Sequence, residues 1–248
     1  MKPVIIITGA SRGIGAATAI KAAAQGYAVC INYMHNDLAA QDIVTRIEQN
    51  GGSAIAVAAD VSQEIEVAKL FNTVDQKLGV VTALVNNVGI LEHKMRLDQM
   101  DMARLNRIFC TNITSHFLCA REAIKRMSTL YGGKGGAIVN VSSAASRLGS
   151  AGEYVDYAAS KGAIDTLTIG LSREVANENI RVNCVRPGFI YTNIHVSGGE
   201  PDRVQQLAPS LPMQRGGNPD EVANAIMWLI SAEASYITGT FIDAAGGK

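Results

Sequence analysis

The chain has no excess of basic charge: 22 lysines and arginines stand against 22 aspartates and glutamates in 248 residues. A dedicated nucleic-acid binder draws much of its affinity from phosphate neutralisation and carries a basic surplus, so that class drops out. No apolar run approaches the ~20 residues that a membrane-spanning helix needs. The apolar stretch in MKPVIIITGAS is too brief for a signal-peptide core and reads as a buried strand, so a cytoplasmic protein is expected. Cysteine is scarce and unpatterned. Cys30, Cys110, Cys119 and Cys184 show no CxxC or framework spacing and are expected to be reduced, small core residues. The histidines, at 35, 93, 116 and 195, include no pair at ligand spacing, so no metal site is expected.

What the chain does have is apolar material, 48% of its residues, arranged in alternation. PVIII (3–7), AVCINY (28–33), AIAVAAD (54–60), ALVNN (83–87), AIVNVSS (137–143), RVNCVRP (181–187) and TFID (240–243) read as strands. Helical periodicity falls between the first six, at about 14–26, 38–50, 63–78, 100–130 and 155–178. Near-continuously apolar strands alternating with helices predict an α/β fold. The expected form is a Rossmann-like, doubly wound parallel sheet of about seven strands, with helices on both faces. No linker or repeat divides residues 1–248, so a single domain is expected. In such sheets ligands bind beyond the carboxyl ends of the strands.

The first strand runs into TGASRGIG (8–15) and then a helix. Gly9, Gly13 and Gly15 allow a tight turn and close backbone approach, and the helix N-terminus offers N–H groups to a diphosphate. The spacing is not GxGxxG, and no Lys-Ser/Thr follows to make a P-loop. About 20 residues on, an NAD binder carries an acidic residue that holds the ribose. Here Asn32, Tyr33, Met34 and His35 stand instead, and Arg12 in the glycine loop could fork a ribose 2′-phosphate. NADP is therefore expected over NAD, although NAD is possible.

In YAASK, Tyr157 and Lys161 fall one helical turn apart on one face. Alone, the pair reads as a surface contact or as an acid/base. TGASRGIG, NNVG (86–89) and YAASK in this order resemble the short-chain dehydrogenase/reductase family in its compact form, over essentially the whole chain.

The resemblance implies a Ser-Tyr-Lys(-Asn) centre of Asn112, Ser143, Tyr157 and Lys161, acting on the carbonyl or alcohol of a small molecule. Ser142 is the alternative serine, because Ser143 stands fourteen residues before Tyr157, one more than is common in the family. The resemblance further implies that Gly9, Ser11, Arg12, Gly13, Ile14 and Gly15 line the phosphates. It puts Asp60 and Val61 at the adenine, and Asn86 and Gly89 in the turn bordering the nucleotide. Val88 departs from the family's alanine there. Pro187, Gly188, Ile190 and Thr192 would form the nicotinamide side, with Tyr157 and Lys161 also touching the cofactor. A homotetramer is implied, through the helices near 100–130 and 155–178.

The chemistry requires an acidic phenol. Free tyrosine titrates near pH ~10, and an adjacent ammonium is expected to pull that value down. Ser143 would hold the substrate oxygen much as an oxyanion-hole donor does. Asn112 lies on a stripe with Leu105, Ile108, Phe109 and Phe117, read as the buried face of a helix, and by family resemblance links a proton relay to Lys161. Residues 191–217 read as a mobile substrate lid, and Glu153, Tyr154, Asp156, His93 and His195 as a polar rim suited to a sugar. Trp228 is expected in the core or a subunit interface. The candidates are a 3-oxoacyl-carrier-protein reductase, a glucose-dehydrogenase-like sugar oxidoreductase or, distantly, a catalytically silent dinucleotide sensor.

Overall fold

A computed structural model describes residues 2–248. The seven strands are β1 (Val4–Ile7), β2 (Ala28–Tyr33), β3 (Ser53–Ala58), β4 (Ala83–Asn86), β5 (Gly136–Val141), β6 (Ile180–Pro187) and β7 (Phe241–Ala244). They form one wholly parallel sheet in the order β3-β2-β1-β4-β5-β6-β7. The order reverses at β1, where Ile5 pairs with Val29 on one side and with Ala83 on the other. That reversal opens a crevice at the carboxyl edge between β1 and β4.

The helices are α1 (Gly13–Ala24), α2 (Asp37–Gln49), α3 (Glu64–Lys77), α4 (Met102–Phe109), α5 (Ser115–Met127), α6 (Ala145–Leu148), α7 (Val155–Glu174), α8 (Ile194–Ser197), α9 (Arg203–Leu207) and α10 (Pro219–Ile230). Strand side chains alternate between two cores, as a period of two dictates. Ile5, Ile7, Val29, Ile31, Val85 and Val139 meet residues of α1, α2 and α10. Val4, Ile6, Cys30, Leu84, Ile138 and Val182 meet those of α3, α5 and α7, with Phe71 fully buried. Each fully buried Ile, Leu or Phe here removes apolar surface worth about 1.5–3 kcal/mol from water. Both faces are covered, which is why the strands read as continuous apolar runs.

The segment near 100–130 is not one helix. A π-helical turn at Cys110–Thr114 separates α4 from α5. Arg104, Ile108, Asn112 and His116 are all buried at intervals of four. A straight α-helix drifts off such a stripe, and the wider π turn restores the phase. Phe117 falls on the outside, 49% exposed, rather than on the expected buried stripe. One cysteine placement also differs from expectation. Cys110 is exposed, while the other three cysteines are buried. Trp228, expected in the core or a subunit interface, is 38% exposed on α10, so the core placement is the one excluded. No helix among the described residues is long and apolar enough to cross a membrane.

Candidate active site

The glycine loop after β1 is shaped by its neighbours. Gly9 and Gly13 adopt φ of +62° and +57°, a left-handed conformation that costs other residues. A Cβ on Gly15 would meet the Gly9 carbonyl oxygen at 2.7 Å and the Ala10 Cα at 2.9 Å, so only hydrogen fits. Arg12 is exposed at the N-cap of α1 and caps nothing with its side chain. Ser11 is half-buried beside it, and Ile14 packs into the core beneath.

Two asparagines tie this loop to its surroundings. Asn32, fully buried, accepts the Gly9 N–H (3.3 Å) and donates to the carbonyl of Ala59 (3.0 Å). Asn87 donates from Nδ2 to the carbonyls of Thr8 (2.9 Å) and Gly9 (3.2 Å), while its own N–H goes to the Thr8 hydroxyl. Asn87 was missed in the sequence. The doubled asparagine of NNVG is the signal for it, since Asn86 and Asn87 stand side by side there. Asn86 turns the other way, into the sheet, donating to Asn140 Oδ1 (3.0 Å) and the His116 carbonyl (3.3 Å).

Asp60 and Val61 follow β3. Asp60 Oδ1 accepts both the N–H and the hydroxyl of Ser62, at 2.9 and 2.7 Å, and Val61 is buried. Beyond β2 an acid does approach: Asp37 opens α2 and accepts the Tyr33 hydroxyl. It lies four residues past the strand end, outside the stretch 32–35 in which the sequence showed none.

On the opposite bank, Pro187 ends β6 and Gly188 sits against Ala245, where a Cβ would meet Cα at 2.8 Å. Ile190 forms an isolated parallel bridge with Gly217. That bridge uses the Tyr191 N–H and the Phe189 carbonyl, and so leaves the Ile190 N–H out of it. Thr192 faces the glycine loop, its Cγ2 3.3 Å from where a Gly13 Cβ would be.

Beyond β5 the two serines diverge. Ser142, buried, donates to the Lys161 carbonyl at 3.0 Å. Ser143 is half-buried, its hydroxyl oxygen accepts the Ala145 N–H at 3.1 Å, and it stands on the side of the Tyr157 phenol. Lys161 is buried on α7, one turn from Tyr157. Its Nζ donates to the Val141 carbonyl at 2.8 Å and lies 5.7 Å from the Tyr157 ring centre. Burial pulls the ammonium down to about 8, with Cys184 and Asp165 acting the other way. The phenol of Tyr157 is pushed up, not down. Burial raises it and the neighbouring Ser143 hydroxyl opposes that only in part. The expected lowering by Lys161 is not among the causes of the shift; desolvation dominates and favours the neutral form of both groups.

Asn112 is fully buried on the π turn, and its amide is satisfied. It donates to the Ile90 carbonyl (3.0 Å) and the Ser160 hydroxyl (3.1 Å) and accepts the Ile90 N–H (2.8 Å). It therefore holds the loop that begins at Gly89, where a Cβ would stand 3.2 Å from Lys161 Nζ.

The glycine loop and Ser143 follow the carboxyl ends of β1 and β5, and Tyr157 and Lys161 lie on α7, which follows β5. The family model described as Enoyl-(Acyl carrier protein) reductase matches residues 9–248. The chain is a short-chain dehydrogenase/reductase. It is 58% identical over 99% of both chains to the Escherichia coli oxidoreductase YgfF, described as uncharacterized. It is 37% identical to a 3-oxoacyl-[acyl-carrier-protein] reductase of Synechocystis, covering 98% of this chain and 96% of that one. A dehydrogenase/reductase from Sinorhizobium meliloti superposes with a TM-score of 0.91 at 30% identity, covering 99% of this chain and 94% of that one. Members of this family are oxidoreductases that act on small molecules and generally bind NAD or NADP.

In this oxidoreductase most of the residues expected to form a polar rim are engaged by partners outside that set. Asp156 is buried with Arg104, Nε to Oδ2 at 2.7 Å. Arg203 bridges Glu153 and Glu200, and Glu200 also accepts from Lys94 (2.8 Å) and the Tyr154 hydroxyl (2.6 Å). His195 stacks on Phe189 with ring centres 6.4 Å apart. The segment 191–217 is folded and latched through these pairs, with α8 and α9 inside it.

Proposed function

We propose that this enzyme interconverts a ketone and an alcohol on a small molecule with NADP(H), through Ser143, Tyr157 and Lys161. The observation that carries this reading is the buried Lys161 ammonium, held by the Val141 carbonyl 5.7 Å from the Tyr157 ring centre, with Ser143 on the side of the phenol. The glycine cradle supports a dinucleotide. Its tight Cβ positions and the uncapped N-terminus of α1 leave backbone N–H groups for a diphosphate, with Thr192 across from Gly13. Exposed Arg12 and the absence of an acid at residues 32–35 support the 2′-phosphorylated form.

When bound, the dinucleotide supplies or accepts the hydride. The chain's own part is oxygen binding and proton transfer. The Ser143 hydroxyl holds and polarises the substrate oxygen. Tyr157 gives its phenolic proton to that oxygen in reduction and takes it back in oxidation. Lys161, fixed by the Val141 carbonyl, keeps a cation beside the phenol and stabilises the phenolate left behind. The Asn112 amide has no spare donor, so it acts by holding the Gly89 loop against Lys161, and any relay would pass through its main-chain carbonyl.

The paired rim leaves few side chains to bind a hydroxyl-rich sugar, which favours a simple ketone such as a 3-oxo compound. The assembly we propose is a homotetramer built on α4, α5 and α7, where Phe117 and Ile169 are exposed apolar residues; light scattering measures it. A carbonyl panel assayed with NADPH and with NADH tests the activity, with Tyr157→Phe as control. Turnover by Tyr157→Phe equal to the parent's would discredit the phenol as the acid.

A further inference from the structure

We propose that the buried Arg104–Asp156 ion pair is a positioning device that sets the height and angle of Tyr157 in the cleft. The inference rests on the reading of Tyr157 as the proton donor.

Helix α7 starts at Val155, and its N-cap, Tyr154, makes no side-chain cap bond. The first turn therefore needs another acceptor for its free N–H groups. Asp156 supplies it from inside the helix: its Oδ1 accepts the main-chain N–H of Tyr157 at 2.9 Å. The same carboxylate is gripped by the Arg104 guanidinium, Nε to Oδ2 at 2.7 Å and Nη2 to Oδ1 at 3.4 Å. The third arm, Nη1, donates to the His93 carbonyl at 2.6 Å.

One planar group thus indexes two walls of the cleft to each other. One wall is the turn that carries Tyr157. The other is the loop running from Gly89 to His93, whose near end Asn112 holds through Ile90. Arg104 is itself fixed, because α4 is capped by Asp101, which accepts the Arg104 N–H at 2.7 Å. Both side chains are nearly dry, 5% and 1% exposed. For stability alone an apolar pair of similar volume serves as well as a buried ion pair, or better. What the charged fork adds is a fixed distance and angle, which a lysine or an apolar side chain cannot reproduce.

Three variants test this: Arg104→Lys, Asp156→Asn, and the double Arg104→Met/Asp156→Leu. Each is assayed for thermal unfolding, NADPH binding by fluorescence, KM and kcat on the best ketone found. We expect folded proteins whose NADPH affinity and KM stay within about threefold of the parent, with kcat lower by roughly tenfold or more. Asp156→Asn, which keeps the oxygen for the Tyr157 N–H, should retain more kcat than the double variant. Parent-level kcat in a folded Arg104→Lys or double variant overturns the proposal. So does failure of both to fold, which would assign the pair to stability. Tyr157→Phe in the same assay separates the two claims. If it is inactive while the pair variants match the parent, only the positioning role fails. If it is active, the reading beneath it fails first.

Discussion

The Ser142 hydroxyl donates to the main-chain carbonyl of Lys161 at 3.0 Å, while its neighbour Ser143 stays off that helix, half-buried, its oxygen accepting the Ala145 N–H at 3.1 Å. Adjacent serines thus divide into one that braces α7 and one that does not. Ser143→Ala should lower kcat by about 100-fold or more, as loss of an oxyanion donor does, with little change in melting temperature. Ser142→Ala should cost about 1 kcal/mol of stability and keep most of the turnover. The reverse pattern in steady-state kinetics would exchange their roles.

Two glycines should respond oppositely to an added methyl. At Gly15 a Cβ would strike backbone at 2.7 and 2.9 Å, so Gly15→Ala must shift the loop and should weaken nucleotide binding by at least tenfold. At Gly170, within α7, a Cβ meets nothing within 4 Å. Gly170→Ala should stabilise by about 0.5–1 kcal/mol in denaturant unfolding.

Lys161 makes stability depend on pH. Its folded value of about 8 lies below its ordinary 10.5, so between those values the unfolded chain holds a proton that the folded chain lacks. Through this group stability rises with pH over that window, and the burden of the buried charge is full below it. The difference corresponds to about 3 kcal/mol. Lys161→Met should therefore gain most in stability over the parent at pH 7 and show a shrinking gain toward pH 10.

The latch over the 191–217 segment should survive mild acid. Burial acts to raise the Glu200 carboxyl, yet Lys94, Tyr154 and Arg203 together hold it at about 2. Its contribution is present above the ordinary carboxylate range and is lost only as pH falls toward 2. Hydrogen exchange in 194–210, corrected for intrinsic rate, should be alike at pH 7 and pH 5. Glu200→Gln should speed it severalfold at both.

Arg12→Ala should weaken NADPH binding by about tenfold or more, and NADH binding by less than about twofold, as removal of one charge-assisted phosphate contact predicts. Equal losses in a fluorescence titration would remove Arg12 from the 2′-phosphate, leaving Asp37 beside Tyr33 as the residue to examine.

The sheet was legible because parallel strands buried on both faces write themselves as unbroken apolar runs; β2 begins and ends where AVCINY does. The cradle was legible because its glycines sit at a strand end. The π turn was not, since 100–130 keeps an apolar rhythm whether or not one residue is looped out. Nor was the direction of the Tyr157 shift: spacing shows that a cation is near but not how dry the phenol is. The Glu153–Arg203–Glu200 cluster spans up to fifty positions, and nothing local in the sequence joins its members.

The pairing of β1 with β4 joins residues 78 positions apart, Ile5 with Ala83. A nascent chain that has emerged only through β3 has its first strand flanked on one side, with the glycine loop still lacking Asn87. Closing that gap is a long-range, high-contact-order step of the kind that slows folding and leaves a strand edge open to the wrong neighbour. Competence to bind nucleotide should therefore appear late in synthesis, and chains truncated before residue 83 should need chaperone protection.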